Sequence, residues 1–532
     1  MTKKVTRREL LTLLAATGST AAVLNASAQL GLLPDTALSV PSIPNPDATN
    51  RPSVVVLGAG IAGLTAAYEL DKAGYDCVVL EAAPKAGGRC RTYRSGDVID
   101  EVGNTQVVGF DAEPHLYFNA GPARIPSTHR NVLHYCKELG VDLEVFINEN
   151  KEAFYQDDAM FGGEPIKNRL LTTNVRGFMA EIIAKNLDRI ELDESLDQWE
   201  TEALLNAVRA FGDLSENDVF DGSFRAGYAR GGFLDHGEQF ETVALKELLK
   251  TGFLRNALSA NEGETGPMLF QPVGGMDMLA QGFVRQLPDK IFYNIAVTGV
   301  NLAEAGVHVD YEHNGVKYQL EADYCFNCIP SHLVTGIANN FPADYTEALQ
   351  YIRRGEAYKA AFQTKNRFWE KNDIYGGISW SNTPSRQFWY PPQGLFKEKG
   401  VVLAAYDFGG GMHFTKLPQE KRLEAHIRDA QKIHPEFREQ SEHGITIAWH
   451  RMNHMLGCSA RFARNFGGWS AEEERLYHTL QQPAGGRHYM IGDQVSQHSA
   501  WMESAVQSAH FAINHMLGQS SSVTSMPGRR LA

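Results

Sequence analysis

One stretch constrains this chain more than any other: Ser53 to Glu81, reading SVVVLGAGIAGLTAAYELDKAGYDCVVLE. It opens with a short apolar run, Ser53 to Leu57, of the kind that forms a strand buried on both faces of a parallel sheet. Gly58, Gly60 and Gly63 follow at GxGxxG spacing. The first glycine turns the chain, the second lacks the Cβ that would keep backbone away from a diphosphate, and the third lets the next helix pack on the strand. That helix is expected from Ile61 to Ala73. Its N-terminus would offer unpaired N–H groups and the positive end of the macrodipole to phosphate oxygens, and Gly74 would stop it. Asp76 to Leu80 reads as a second strand that delivers Glu81, eighteen residues beyond Gly63, where a carboxylate can accept hydrogen bonds from ribose hydroxyls. A lone GxGxxG is weak evidence. With strand, helix, second strand and acid all in place it becomes a dinucleotide-binding unit, with Ala59, Ile61, Ala62 and Ala82 in the backbone around the cofactor.

After Glu81 the chain continues Ala82-Ala83-Pro84-Lys85-Ala86-Gly87-Gly88-Arg89. Here it resembles the flavin-dependent amine oxidase family, whose long N-terminal signature runs through such a Gly-Gly-Arg; Ala67, Leu70, Gly74 and Val78 also keep the family spacing. The resemblance implies an α/β chain with a Rossmann-like FAD-binding domain, a substrate-binding sheet domain and a helical insertion. It adds Gly88 and Arg89 to the FAD site, the arginine as a bidentate partner for the pyrophosphate. The flavin is expected to be noncovalent, because no cysteine or histidine stands in matching context for a bond to it.

Tyr117 to Pro126, YFNAGPARIP, narrows the resemblance to flavin-dependent L-amino-acid oxidases, which carry a Gly-Pro-x-Arg-[Ile/Leu]-Pro element beneath the flavin. On that likeness Gly121, Ala123 and Arg124 lie along the cofactor, and Arg124 also holds the substrate carboxylate. A planar guanidinium matches a carboxylate in bidentate geometry, and in a dry site it is costly unless an anion pairs with it. An enzyme for simple amines has no use for that charge. A structural acid paired with Arg124 is the competing reading.

The same resemblance assigns the remaining site. Val297 meets the adenine through its backbone, and Lys359, in Glu356-Ala-Tyr-Lys359, holds a water near flavin N5 as the catalytic residue. Tyr390, in Ser385-Arg-Gln-Phe-Trp-Tyr390-Pro391, gives its hydroxyl to the substrate carboxylate. Tyr489-Met-Ile-Gly492-Asp493 places an acid on the ribityl chain. A helix beginning at Ser499 and running through Leu517 points its positive end at flavin N1/O2, with Ala500, Trp501 and Met502 at its start; Trp501 lies beside the substrate amine and Ala500 offers its backbone. Some members of the family carry a gating histidine in the helical region, and His236 is not in matching context for it.

The rest of the chain sets limits. A length of 532 residues with 43% hydrophobic and 21% charged residues gives a large globular chain of more than one domain, and a formal net charge of −13 argues against nucleic acid or an anionic membrane as a partner. Residues 1–28 read as a twin-arginine signal peptide: Lys3, Lys4, Arg7 and Arg8 form the basic region, Thr6-Arg7-Arg8-Glu9-Leu10-Leu11 matches the twin-arginine type, and Ala26-Ser27-Ala28 is a cleavage signal. Thr17 to Thr20 interrupt its apolar run, which falls short of the ~20 residues a bilayer span needs. An exported protein with no stable membrane span after processing follows. Residues 29–50, with Pro34, Pro41, Pro44 and Pro46, form a linker.

Residues 51–120, 271–340 and 481–520 are assigned to the FAD-binding domain, 121–270 to a mainly helical substrate region, 341–480 to the substrate-binding domain and 521–532 to a tail. Cys325-Phe-Asn-Cys328 is a C-x-x-C at the end of a strand-like run before Pro330, where small buried cysteines are ordinary. His450 and His454 have helical spacing but lack a third ligand, so no metal is expected. The function these readings support is FAD-dependent oxidative deamination of an L-amino acid, with dioxygen as acceptor and a homodimer as an open assembly. A decarboxylating monooxygenase, an amine or polyamine oxidase, a disulfide flavoenzyme and a non-catalytic flavin-binding protein are the alternatives.

Overall fold

The computed structural model of the protein describes residues 40–46, 51–187, 196–250, 265–461 and 470–518. The signal, most of the linker and the tail therefore lie outside the described residues. Ser53–Leu57 is the central strand of a five-stranded parallel sheet, in the order Ile291–Phe292, Asp76–Leu80, Ser53–Leu57, Tyr324–Asn327 and His488–Met490. Its unbroken apolar run follows from having no solvent face. Val54 and Val56 pack with Leu64, Ala67 and Leu70 of the Ile61–Lys72 helix and with Val506, Ala509 and Ile513 of the Met502–Met516 helix. Val55 and Leu57 pack on the opposite side with Val300, Val309 and Leu349.

Two glycines carry this geometry. A Cβ on Gly63 would stand 2.1 Å from the carbonyl oxygen of Gly58, so helix and strand close only without a side chain there. Gly74, at φ +95, ends the Ile61–Lys72 helix in the left-handed region.

The second large element is a seven-stranded sheet ordered Ile166–Lys167, Phe154–Gln156, Gly377–Ser381, Gln387–Tyr390, Gly400–Asp407, Tyr358–Thr364 and Ser441–Ala448. It is antiparallel apart from the Phe154–Gln156 and Gly377–Ser381 pair. Alternation splits its side chains between two buried clusters. Ala361, Ile378, Trp389, Leu403 and Ile447 lie on one face, while Tyr358, Phe362, Phe388, Tyr390 and Val402 lie on the other with Ala425 and Ala430 of the Gln419–Gln431 helix. In the Gly400–Asp407 strand the register shifts, with Ala361 opposite Leu403 but Ala360 opposite Ala405. Ala404 is thus an extra residue, and the bulge reverses which parity faces the first cluster.

The 121–270 region is less helical than expected. After the Asn168–Ala184 and Gln198–Gly212 helices come a short 3-10 turn, Phe224–Ala226, a small hairpin of Tyr228–Arg230 with Glu238–Gln239, and the one-turn Leu245–Leu248 helix. Gly222, Gly227, Gly231 and Gly232 have positive φ, which breaks a helix wherever they stand. His236 sits in the exposed turn of that hairpin. Residues 251–258 lie outside the described residues. No described helix is long and apolar enough to cross a membrane.

Candidate active site

A cavity of about 570 Å³ runs between the parallel sheet and the seven-stranded sheet. Its floor is backbone. Gly58, Gly60, Ile61, Ala62, Glu81, Ala82 and Gly88 all line it, whereas Ala59 and Gly63 stand behind the surface. Added Cβ atoms would intrude: one on Gly60 would be 3.3 Å from Cys328 Sγ, and one on Gly88 would be 3.2 Å from Gly60 Cα. Gly60 caps the Ile61–Lys72 helix with no side-chain hydrogen bond, so no capping side chain competes with an anion at that helix N-terminus. Glu81 accepts from the Ala59 N–H at 2.5 Å and the Ala83 N–H at 2.8 Å. Burial raises its pKa against the pull of those two hydrogen bonds.

Farther along the wall, Arg89 and Asp493 hold each other. Arg89 Nη1 donates to Asp493 Oδ2 at 2.8 Å and Nη2 to Oδ1 at 2.5 Å. Arg354, behind the wall, approaches the same carboxylate at 3.4 Å. Burial opposes the charge of Asp493, but the two guanidinia outweigh it and keep the carboxyl well below its usual range. Both residues line the cavity, and Asp493 takes the two Nη groups of Arg89 in the bidentate geometry that the resemblance assigned to the pyrophosphate. Val297, Gly121, Ala123, Gly492, Trp501 and Met502 line it as well. Trp501 caps the Met502–Met516 helix, which begins three residues later than expected because Ala500 takes φ 73 and interrupts it.

Arg124 also lines the cavity. Its Nε is buried without a hydrogen-bond partner, and no carboxylate of the described residues pairs with the guanidinium. Its neighbour is the Trp389 ring, 5.1 Å away. Burial pushes its pKa below the usual value. Trp389 in turn packs on Tyr406, and Tyr406 on Phe408, with ring centroids 5.4 and 4.7 Å apart; all three line the cavity.

Lys359 is buried beside this wall. Its Nζ donates to the carbonyls of Gly121 at 2.7 Å and Asn119 at 3.2 Å and lies 4.7 Å from the Tyr406 ring. Burial lowers its pKa to about 7, with Arg124 acting in the same direction and Cys458 against it.

Tyr390 is the correction. Its hydroxyl bonds Ser379 Oγ at 2.6 Å and His434 Nε2 at 2.7 Å on the back of the sheet, and it does not line the cavity. Trp389, one residue earlier, faces the cavity, so strand alternation turns Tyr390 away. The phenol near Arg124 belongs to Tyr406. Sequence reading missed it because the bulge at Ala404 is invisible in a strand of small apolar residues. In the Trp449-His450-Arg451-Met452-Asn453-His454 stretch, Trp449 and His454 line the cavity, and Trp449 anchors through Nε1 to the Ala120 carbonyl at 3.0 Å. Among the described residues no group of three His, Cys, Asp or Glu is placed to hold a metal ion. Cys325 and Cys328 are free thiols, and Cys328 lines the cavity.

A glycine cradle and an uncapped helix N-terminus, joined across one cavity to a substrate sheet bearing cations and aromatic rings, define a dinucleotide-binding protein of the oxidoreductase class. The model of the flavin containing amine oxidoreductase family matches residues 61–516, and the chain belongs to that family. FAD fits the cradle that added Cβ atoms would fill. The chain is 27% identical over 485 residues to the flavin-dependent L-tryptophan oxidase RebO of Lentzea aerocolonigenes, covering 86% of this chain and 97% of that one. It is 25% identical over 483 residues to an L-amino-acid oxidase of Demansia vestigiata, with 86% of each chain covered. It is 24% identical over 478 residues to a putative L-amino-acid oxidase, YobN, of Bacillus subtilis, covering 86% and 92%. Among solved structures, wild-type putrescine oxidase bound to putrescine aligns with a TM-score of 0.55 at 17% identity, over 88% of this chain and all of that one. That likeness shows the fold.

Proposed function

We propose that this flavoenzyme is an L-amino-acid oxidase, converting an L-amino acid, dioxygen and water to a 2-oxo acid, ammonia and hydrogen peroxide. The observation that carries it is Arg124, a cavity-lining guanidinium with a buried, unpartnered Nε and no carboxylate of its own. Burying a cation unpaired is costly, so its anion comes from outside, and an α-carboxylate supplies one in bidentate geometry. FAD bound in the cradle supplies the two-electron acceptor for the Cα hydrogen, taken as hydride, and the route from there to dioxygen. The chain supplies the rest. Arg124 and the Tyr406 hydroxyl orient the carboxylate, Trp389 and Phe408 flank the side chain, and Trp501 and the Ala500 backbone bound the amine. Lys359, with a pKa of about 7, holds water and exchanges a proton at Nζ near neutral pH. The three L-amino-acid and L-tryptophan oxidases among its relatives support the same reading.

Arg124→Ala tests it. Truncating one side of a buried charged pair costs roughly 2–5 kcal/mol, so kcat/KM for L-amino acids should fall by a factor of tens to thousands at about 1.4 kcal/mol per decade. Turnover of the matching decarboxylated amine should not fall with it, and flavin content should stay near stoichiometric. Full retention of amino-acid activity, or equal loss on amine and amino acid, would point to an amine oxidase. An amide in place of the 2-oxo acid would point to a decarboxylating monooxygenase.

We also propose export by the twin-arginine route, supported by Arg7, Arg8 and the Ala26-Ser27-Ala28 signal. Arg7→Lys with Arg8→Lys should leave active enzyme in the cytoplasm; normal export of that variant would refute the assignment.

A further inference from the structure

The Arg130–Glu138 helix begins six residues after Arg124, and its own N-cap, His129, makes no side-chain capping bond. The cap comes from another part of the chain. Glu503, in the first turn of the Met502–Met516 helix, is buried, and its Oε2 accepts from the Val132 N–H at 2.9 Å. Its Oε1 accepts from the Asn131 N–H at 3.2 Å and from Asn131 Nδ2 at 2.6 Å, with Gln507 Nε2 at 3.1 Å on the same atom. A carboxylate at a helix N-terminus satisfies orphan donors and opposes the positive end of the dipole. Close by, the His129 ring meets Trp501 edge-on at 4.9 Å.

These contacts join two segments that are remote in sequence and meet at the cavity. One carries Arg124, followed at once by the two-residue strand Ile125–Pro126, which is paired with Leu269–Pro272, and a tight turn in which the His129 N–H bonds the Pro126 carbonyl. Little slack separates Arg124 from the capped turn. The other carries Ala500, Trp501 and Met502, all cavity-lining and directly ahead of Glu503. The carboxylate end and the amine end of the site are thus clamped by one side chain that touches neither substrate nor cofactor.

We propose that Glu503 is a positioning residue that sets the distance between Arg124 and the Ala500–Trp501 backbone by capping the Arg130–Glu138 helix from outside. This rests on the reading of Arg124 as the carboxylate anchor. In that role Glu503 matters to a substrate that spans both ends, and a decarboxylated amine, which has no group for Arg124 to hold, does not depend on the distance it sets. Misplacing a binding group by about 1 Å costs on the order of a hundred-fold.

The experiment is a double-mutant cycle on the FAD-loaded enzyme with Glu503→Gln, Arg124→Ala and the combined variant. Glu503→Gln should lower kcat/KM for L-amino acids by about ten- to a hundred-fold, mostly through KM, with flavin content unchanged and turnover of the decarboxylated amine spared. The combined variant should be no worse than Arg124→Ala alone within about threefold. Multiplying losses would overturn the clamp, as would an equal loss on amine and amino acid. A harmless Arg124→Ala would instead overturn the anchor itself, and the clamp with it. Should Glu503→Gln fail to fold, Asn131→Ala, which removes the shortest of the contacts, should give the same order of effects in milder form; an additive result there would equally refute the proposal.

Discussion

The two sheets that enclose the cavity line it by opposite means. On the parallel-sheet side the lining is largely backbone: glycines at 58, 60 and 88 and an uncapped helix N-terminus, with Glu81 already engaged by two N–H groups and Arg89 by Asp493. On the seven-stranded side the contacts are long side chains projecting from strand faces: Lys359, Trp389 and Tyr406. The first arrangement suits a ligand that never changes, because it tolerates no added atoms. The second can be re-cut one side chain at a time, which is what a substrate site requires. A change on the cofactor side should therefore remove the enzyme, whereas one on the substrate side should retune it.

The largest effect tests the rigid half. Gly63→Ala puts a Cβ 2.1 Å from the Gly58 carbonyl oxygen, a backbone atom that cannot yield. The expected outcome is loss of the flavoprotein, read as absent flavin absorbance in the purified chain. A yellow, active variant would show that the helix can slide on the strand and would weaken the contrast.

Lys359→Met comes next. A lysine whose pKa is about 7 in the folded protein, against its usual value near 10.4 when unfolded, binds fewer protons folded than unfolded between those limits. Its burial thus costs most at and below pH 7, and the cost shrinks as pH rises toward 10. The methionine variant should gain stability on the order of a few kcal/mol at pH 7, with the gain narrowing at alkaline pH in thermal melts. Any step in kcat with an apparent pKa near 7 should vanish. A variant with unchanged Tm and an intact pH profile would place the proton elsewhere.

The smallest effect is the sharpest comparison, because the two residues are both tyrosines on neighbouring strands. Tyr406→Phe should raise KM for L-amino acids by about ten-fold, the worth of one hydrogen bond to a charged group, with little change in stability. Tyr390→Phe should leave KM alone and cost about 1 kcal/mol of stability, since it strips a partner from buried Ser379 and His434. Reversed outcomes would mean that the cavity-facing side of the Gln387–Tyr390 strand is the other one.

The same contrast explains how far the sequence could be read. Backbone contacts need residues at fixed local spacing, so the Ser53–Leu57 strand, the Ile61–Lys72 helix and the cavity-lining Glu81 were legible in one line. Arg124 was legible only through the family likeness of its Gly-Pro-x-Arg element, and the structure places it on the cavity wall. Tyr406 was not, since its facing depends on an inserted Ala404 that only the pairing with Tyr358–Thr364 reveals. The Arg89–Asp493 pair spans 404 positions, and no local pattern announces it.

The strand order of the parallel sheet also sets a schedule. Ser53–Leu57 is flanked on one side by Tyr324–Asn327, which waits in turn for His488–Met490. Asp323, whose carboxylate holds Ser53, is 270 positions away. At about 10 residues per second, the ribosome finishes the opening strand roughly half a minute before its neighbour exists. Until the closing segment emerges, the glycine turn has no Asp493 and no Met502–Met516 helix to complete its wall. Loading of the cofactor therefore belongs to the nearly finished chain, and the interval before it is when the apolar edge of Ser53–Leu57 stands most open to wrong partners or a chaperone.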